Sequence, residues 1–213
     1  MRALVMAKAP VAGQVKTRLG QSIGMQAAAR VAAAALLDTL AACRAAFDEC
    51  HLALAGDLGG SEHEGQVRAA LEGWTIHPQH GASLGERLAR AHADVAGRGP
   101  TVQIGMDTPQ ATAGDLLEVA AMAGEGGAVL GPASDGGWWV LALEDSSAAG
   151  VLTGVPMSRS DTFTRTREAL WAAGQTVAVA RELTDVDTVH EARQVADTLT
   201  EGRFLDAWRE VSA

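Results

Sequence analysis

Lys8-Ala9-Pro10-Val11-Ala12-Gly13-Gln14-Val15-Lys16-Thr17-Arg18-Leu19 directly follows the apolar run Leu4–Ala7. The run reads as a buried first strand, and Pro10 and Gly13 end it in a tight turn. Both lysines of the 213-residue chain lie in this stretch, whereas 15 of the 17 basic residues are arginine. A lysine ammonium is a compact point charge suited to phosphate, whereas an arginine presents a planar fork. No acid precedes Asp38, so residues 1–37 carry only the basic groups Arg2, Lys8, Lys16, Arg18 and Arg30. Gly13-x-x-Lys16-Thr17 lacks the full G-x-x-x-x-G-K-[ST] pattern and is not a P-loop. The stretch predicts an exposed cationic loop after a first strand, able to hold an anion with backbone amides and ammonium groups.

Working outward, short apolar segments alternate with helical ones. Strands are expected at His51–Gly56, Trp74–His77, Thr101–Gly105, Ala128–Leu130, Trp138–Leu143 and Thr176–Ala180. Helices are expected over residues 25–47, Glu64–Glu72, Ser83 to about 96, a segment capped by Thr112, Ser160–Ala173, and a segment opened by Thr188 and Glu191. Three of these starts read as Ser/Thr caps with an acid three residues on. The alternation predicts an α/β class, with a largely parallel sheet flanked by helices in one domain over 1–213. Ligands in such sheets gather at the carboxyl ends of strands.

Composition narrows the function. A net charge of −9 argues against nucleic acid as partner, since phosphate-backbone binding needs a broad basic face. The Ala-rich stretch 27–37 contains Arg30 and stops at Asp38, short of the ~18 apolar residues of a membrane span. Cys43 and Cys50 lie seven apart, a spacing without metal or redox signature, so a reduced cytoplasmic location is expected. His77 and His80 read as surface residues, and Gly85 in Ser83-Leu84-Gly85-Glu86-Arg87 suggests a close contact.

Three further constellations carry chemistry. In Ile104-Gly105-Met106-Asp107-Thr108-Pro109 a carboxylate stands just past a strand, where it could hold Mg²⁺ or Mn²⁺ or instead start a turn or cap. In Gly131-Pro132-Ala133-Ser134-Asp135-Gly136-Gly137-Trp138-Trp139, the glycines permit close approach of a ligand and leave room beside it. The two tryptophans must face opposite ways, and one is expected to pack inward. Asp185-Val186-Asp187-Thr188 presents two carboxylates on one side of an extended segment, for a cation or for the dipole of the next helix.

Taken in order, K-x-P-x-x-G-x-x-K-T-R-L, L-G-E-R, G-x-D-x-P, G-P-x-x-D-G-G and D-x-D-T resemble a bacterial family of small glycosyltransferase-A-like proteins. A weaker resemblance extends to the molybdenum-cofactor and phospholactate guanylyltransferases. The resemblance implies a Rossmann-like nucleotide-diphospho-sugar transferase fold with a central mixed sheet. It implies that Lys8, Gly13, Lys16, Thr17 and Arg18 bind nucleotide phosphates, and that Asp107, with Asp187 or Asp185, holds Mg²⁺ or Mn²⁺. It implies that Asp135, Gly136 and Gly137 face the acceptor or the sugar; Asp135 could there serve as base for an acceptor hydroxyl, and Trp138 or Trp139 could form an apolar platform for the sugar. Trp138 and Trp139 stand where the family often has Tyr, and Met157 where Trp is usual. The expected activity is metal-dependent transfer from a nucleoside-diphosphate sugar to a small-molecule acceptor. The alternatives are nucleotidyl transfer from an NTP with release of pyrophosphate, or nucleotide binding without turnover.

Overall fold

The computed structural model describes residues 1–125 and 127–212. Seven strands form one sheet in the order β3-β2-β1-β4-β6-β5-β7. They are β1 (Arg2–Lys8), β2 (Glu49–Ala55), β3 (Thr75–Pro78), β4 (Thr101–Gly105), β5 (Ala128–Pro132), β6 (Trp138–Leu143) and β7 (Val177–Val179). β6 runs antiparallel to both β4 and β5, and every other pairing is parallel. The reversal has a local cause: only residues 133–137 separate β5 from β6, too few for a crossover and enough for a hairpin. The chain moves from β1 outward to β2 and β3, then returns to β4 on the other side of β1. That order change opens a crevice between the carboxyl ends of β1 and β4, the usual ligand position in such sheets.

The helices are α1 (Thr17–Ile23), α2 (Met25–Ala46), α3 (Glu64–Ala70), α4 (Leu84–Asp94), α5 (Ala113–Gly124), α6 (Thr162–Ala172), α7 (Val189–Thr198) and α8 (Arg203–Ser212), with a 3₁₀ segment at Ser146–Gly154. One sheet face is covered by α2, α3 and α5 through Leu36, Leu40, Val67, Leu116 and Val119. The opposite face carries α4, the 3₁₀ segment and α6 through Leu88, Ala91, Leu152 and Leu170. A third cluster joins α1, α7 and α8 to the outer side of α2 through Leu19, Val31, Val195, Phe204 and Trp208. Helix α2 is therefore buried on two sides, which explains its alanines: a small side chain lets sheet and helix both approach. Among the described residues it is the one helix long and apolar enough to cross a membrane, and 72% of its apolar window is buried within the fold.

Local signals placed most elements well. Ser83 caps α4 by accepting from the Glu86 amide (3.2 Å), and Thr112 and Asp115 form a reciprocal capping box on α5. Three expectations need correction. Residues 17–19, read as loop, open α1. Arg2 lies at the far end of β1, buried and bonded to Glu49 (3.0 Å) and the Arg98 carbonyl (2.9 Å), so it adds nothing to the cationic loop. His77 is not free at the surface: its Nε2 meets His51 Nδ1 at 3.2 Å. Cys43 and Cys50 are free and buried, and burial raises both thiols, Cys50 to about 11, so neither is a nucleophile at neutral pH. The close approach foreseen at Gly85 is present, since a Cβ there would stand 2.1 Å from the Leu152 carbonyl oxygen.

His92, on α4, is wholly buried, and neither ring nitrogen has a hydrogen-bond partner among the described residues. Burial pushes its pKa down to about 4 from the ordinary 6.5. The unfolded imidazole therefore binds a proton that the folded one refuses between those values. Its neutral form is no burden above pH 6.5, and stability is lost as pH falls from 6.5 towards 4. We expect His92→Leu to remove up to about 3 kcal/mol of this acid sensitivity. Urea denaturation of wild type and variant at pH 7 and pH 5 measures it; identical pH dependence in the two proteins would refute it.

Candidate active site

The loop after β1 is built for the crevice. The Ala9 amide bonds the Ala55 carbonyl (2.9 Å) and the Gln14 amide bonds the Val11 carbonyl (3.0 Å), closing a turn. Gly13 takes φ +75, and a Cβ there would meet nothing within 4 Å, so glycine serves the backbone angle rather than a close approach. Lys16 adopts φ 46, ψ 45 immediately before α1. A non-glycine residue in this left-handed region costs about 1–2 kcal/mol, which the surrounding contacts must offset.

Those contacts are ionic. Lys16 Nζ donates to Asp107 Oδ2 at 2.7 Å and lies 3.9 Å from Asp187 Oδ1. Arg18 Nη1 donates to Asp187 Oδ2 at 2.7 Å. The Lys16 side chain is only 9% exposed, against 75% for Arg18. Burial disfavours the Lys16 charge, but Asp107, Asp187 and Asp185 outweigh it and the pKa is raised. The two acidic segments are joined by backbone: the Val186 amide donates to the Asp107 carbonyl at 2.8 Å. Gln110 Nε2 adds a bond to the Thr184 carbonyl (2.5 Å). Burial, reinforced by Asp107 and Asp135, raises the Asp185 carboxyl to about 6.

The β5–β6 hairpin brings the fourth carboxylate. Ser134 N donates to the Leu183 carbonyl (3.0 Å), tying the hairpin to the strand-like segment before Asp185. Asp135 Oδ1 accepts from the Gly137 amide (2.7 Å). Trp139 packs inward, its indole donating to the Arg181 carbonyl (2.9 Å). Trp138 turns to the other face, bonded to Thr166 Oγ1 (3.2 Å) and half-buried. These groups surround a cavity of about 750 Å³ lined by Lys8, Lys16, Thr17, Arg18, Asp107, Asp135, Gly137, Trp138, Asp185 and Asp187, among others. That volume falls in the range of small-molecule sites.

The family model described as an uncharacterized protein conserved in bacteria (DUF2064) matches residues 36–159. The chain belongs to this family. The DUF2064 chain shares its fold with a Desulfovibrio desulfuricans G20 protein provisionally described as a nucleotide-diphospho-sugar transferase (TM-score 0.85, 25% identity, 98% of this chain and 94% of that one). It superposes less closely on Rv0371c of Mycobacterium tuberculosis H37Rv in complex with manganese (TM-score 0.56, 19% identity, 93% and 99% covered). A nucleotidyl transferase from Methanothermobacter gives TM-score 0.60 at 17% identity, with 97% and 98% covered. The last two likenesses concern fold alone. No curated protein matches the chain in sequence. The mixed, mostly parallel sheet of the DUF2064 chain is thus the nucleotide-diphospho-sugar transferase fold, of glycosyltransferase-A-like type.

The DUF2064 structure corrects two readings of individual site residues. Lys16 is not a freely exposed loop lysine but the buried centre of the carboxylate cluster. Gly136 does not open into the cavity: with φ +87, a Cβ there would lie 2.1 Å from the Ser160 carbonyl oxygen, so it packs against the approach to α6. Gly137 does line the cavity, whereas Gly13 and Gly136 do not. Residues to which pattern reading gave no site role also line it, notably Gln79, Arg87 and Arg159, together with Met157, noted only as a departure from the family. Arg87 lay within the L-G-E-R motif, but its role as helix surface masked it. Gln79 Nε2 bonds the Ala7 and Ala53 carbonyls (2.9 and 2.8 Å), a contact across three strands that no local pattern signals.

Proposed function

We propose that this protein is a metal-dependent transferase, one domain over residues 1–213, that takes a nucleoside-diphosphate sugar and passes the sugar to a hydroxyl of a small acceptor. The observation that carries this reading is the Lys16 ammonium held between Asp107 and Asp187 at the β1–β4 crevice, beside a cavity large enough for a nucleotide sugar. The likeness to the Desulfovibrio protein over nearly its whole length supports it.

The donor set fits a hard divalent cation. Four carboxylates line the cavity against the two cations paired with them, Lys16 and Arg18, and Asp185 is raised first by burial and then by its neighbours Asp107 and Asp135. Among the described residues no three His, Cys, Asp or Glu groups form a ready cage; Mg²⁺ and Mn²⁺ ordinarily use one or two carboxylates, with phosphate oxygens and water completing the shell. Asp107 and Asp187 would hold the ion, which when bound supplies positive charge against the departing diphosphate.

The chain's own residues do the rest. Lys8, Lys16, Thr17 and Arg18 bind the diphosphate and stabilise the negative charge that grows on it as the glycosidic bond breaks. Asp135 is anchored through Oδ1 and takes no bond at Oδ2 among the described residues, so Oδ2 accepts the proton of the acceptor hydroxyl. Gly137 and Trp138 border the sugar. A second reading, nucleotidyl transfer, draws on the three cations Lys8, Lys16 and Arg18 gathered between the end of β1 and the first turn of α1, which suit a triphosphate equally well. The products separate the two: a glycosyl transfer releases nucleoside diphosphate, a nucleotidyl transfer releases pyrophosphate.

Lys16→Ala tests the phosphate grip. Loss of a charge-assisted contact should weaken nucleotide binding by roughly 1.5–3 kcal/mol, about 10- to 150-fold. Isothermal titration with nucleoside diphosphates, nucleotide sugars and NTPs, with and without Mn²⁺, reads it. Equal affinity of variant and wild type for every nucleotide would refute the grip.

A further inference from the structure

Five cationic side chains line the cavity: Lys8, Lys16, Arg18, Arg87 and Arg159. Three are neutralised within the protein, Lys16 by Asp107, Arg18 by Asp187 and Arg159 by Asp161 (3.2 Å). Lys8 and Arg87 have no carboxylate in ion-pair range among the described residues. Lys8 ends β1 beside the loop assigned above to the diphosphate. Arg87 stands elsewhere, on the first turn of α4.

The two rims of the cavity belong to opposite sheet faces. Ala9 and Val15 of the β1 loop pack into the core under α2 and α5. Leu88, next to Arg87, packs into the core of the other face, against which Trp138 and Met157 also rest. Arg87 therefore lines the cavity from the α4 side, and the β1 loop lines it from the other sheet face. It is half-buried and fixed in place: its Nε donates to the Gly81 carbonyl (3.1 Å), leaving both Nη groups without a protein partner among the described residues. A half-buried guanidinium with an open fork, in a protein of net charge −9, is suited to a carboxylate or phosphate from outside.

On the Arg87 side the cavity adjoins a second hollow of about 480 Å³ between Ser83–Gly85 and residues 153–158. The two share Leu84, Met157 and Ser158. None of the side chains lining this hollow is charged, and Leu84, 46% exposed, forms part of its wall. A ligand that enters it does so with an uncharged portion.

We propose that Arg87 is a specificity-determining residue for the second substrate, which carries a phosphate or carboxylate bound at Arg87 and an uncharged remainder lying in the hollow beside Met157. This builds on the donor assignment made under the proposed function, since the β1 rim must be the nucleotide's for the α4 rim to be the acceptor's.

The test uses small probes on wild type, Arg87→Gln and Arg87→Lys, with nucleoside diphosphate and Mn²⁺ at saturation. Phenyl phosphate, phenylacetate and uncharged benzyl alcohol are titrated calorimetrically. Wild type should bind at least one of the two anions about 10-fold or more tightly than the alcohol, and which anion wins identifies the acidic group. Arg87→Gln should erase that preference and Arg87→Lys should keep part of it. Nucleoside diphosphate affinity should stay within about 2-fold in both variants, which also reports an intact fold. No anion preference in wild type, or one that survives Arg87→Gln, overturns the proposal. So does an equal loss of nucleoside diphosphate affinity, which would make Arg87 a donor residue. If wild type binds no nucleotide at all, the donor reading fails separately, and the same anion-to-alcohol ratio on nucleotide-free protein still decides the role of Arg87.

Discussion

Asp107→Asn should abolish cation-dependent nucleotide binding, and Asp107→Ala should do the same. The carboxylate sits at the end of β4, its backbone carbonyl fixed by the Val186 amide and its side chain by Lys16. Asparagine keeps that shape and one acceptor for Lys16 but removes the negative charge that a hard cation requires. We expect at least about a 100-fold loss of Mn²⁺-dependent affinity, more than the 10- to 100-fold typical when only an outer-shell partner is lost. A stability cost accompanies it. The only carboxylate left in ion-pair range of the Lys16 ammonium, 9% exposed, would be Asp187 at 3.9 Å, and where the hydrogen bond goes too, as in Asp107→Ala, the loss costs about 1.5–3 kcal/mol. Alanine should be the worse of the two for stability and no worse for cation binding. Titrations with and without Mn²⁺, paired with urea denaturation, separate the effects; Mn²⁺ enhancing nucleotide binding to Asp107→Asn as it does to wild type would exclude Asp107 as a ligand.

Gly136→Ala should cost the largest amount of stability of any single methyl added near the site. The new Cβ would stand 2.1 Å from the Ser160 carbonyl oxygen and 2.6 Å from its carbon, both backbone atoms that cannot swing aside. The position also has φ +87, which by itself disfavours an L residue by about 1–2 kcal/mol. With the clash added, we expect at least about 3 kcal/mol of destabilisation. Phe163 N donates to the Gly136 carbonyl (2.9 Å), so the strain would spread into α6 and reach Trp138 through Thr166. Gly137→Ala is the control. The nearest atoms to its Cβ would be those of the Asp135 carboxylate, Oδ1 at 2.9 Å, and a side chain can turn. That variant should fold and bind nucleotide but bind the nucleotide sugar poorly, as the new methyl intrudes on the border of the sugar. Comparable stability for Gly136→Ala and Gly137→Ala in thermal and urea unfolding would disprove the packing role of Gly136.

Much of the architecture was legible because its causes are local. Thr101–Gly105 and Trp138–Leu143 were predicted with the observed bounds, since apolar runs flanked by turn residues determine a buried strand. Thr112 with Asp115 and Thr188 with Glu191 announced α5 and α7, because a capping box satisfies amide groups within four residues of itself. The motif order likewise pointed to the family and the fold. Helix α8 was missed for the opposite reason: its first amides are capped by Asp38, which accepts from Phe204 N at 2.8 Å from a helix more than 160 residues earlier. Helix α1, seven residues without a side-chain cap, had no local signal to give. The site divides the same way. Sequence alone determined that a cationic loop and several carboxylates follow strands, since residue type and turn chemistry suffice for that. Only the tertiary structure decided which of them meet, because strand order, and not sequence order, brings Lys16 to Asp107 across 91 positions, sends Arg2 to the opposite end of the sheet, and sets Gly136 against Ser160 rather than against a ligand.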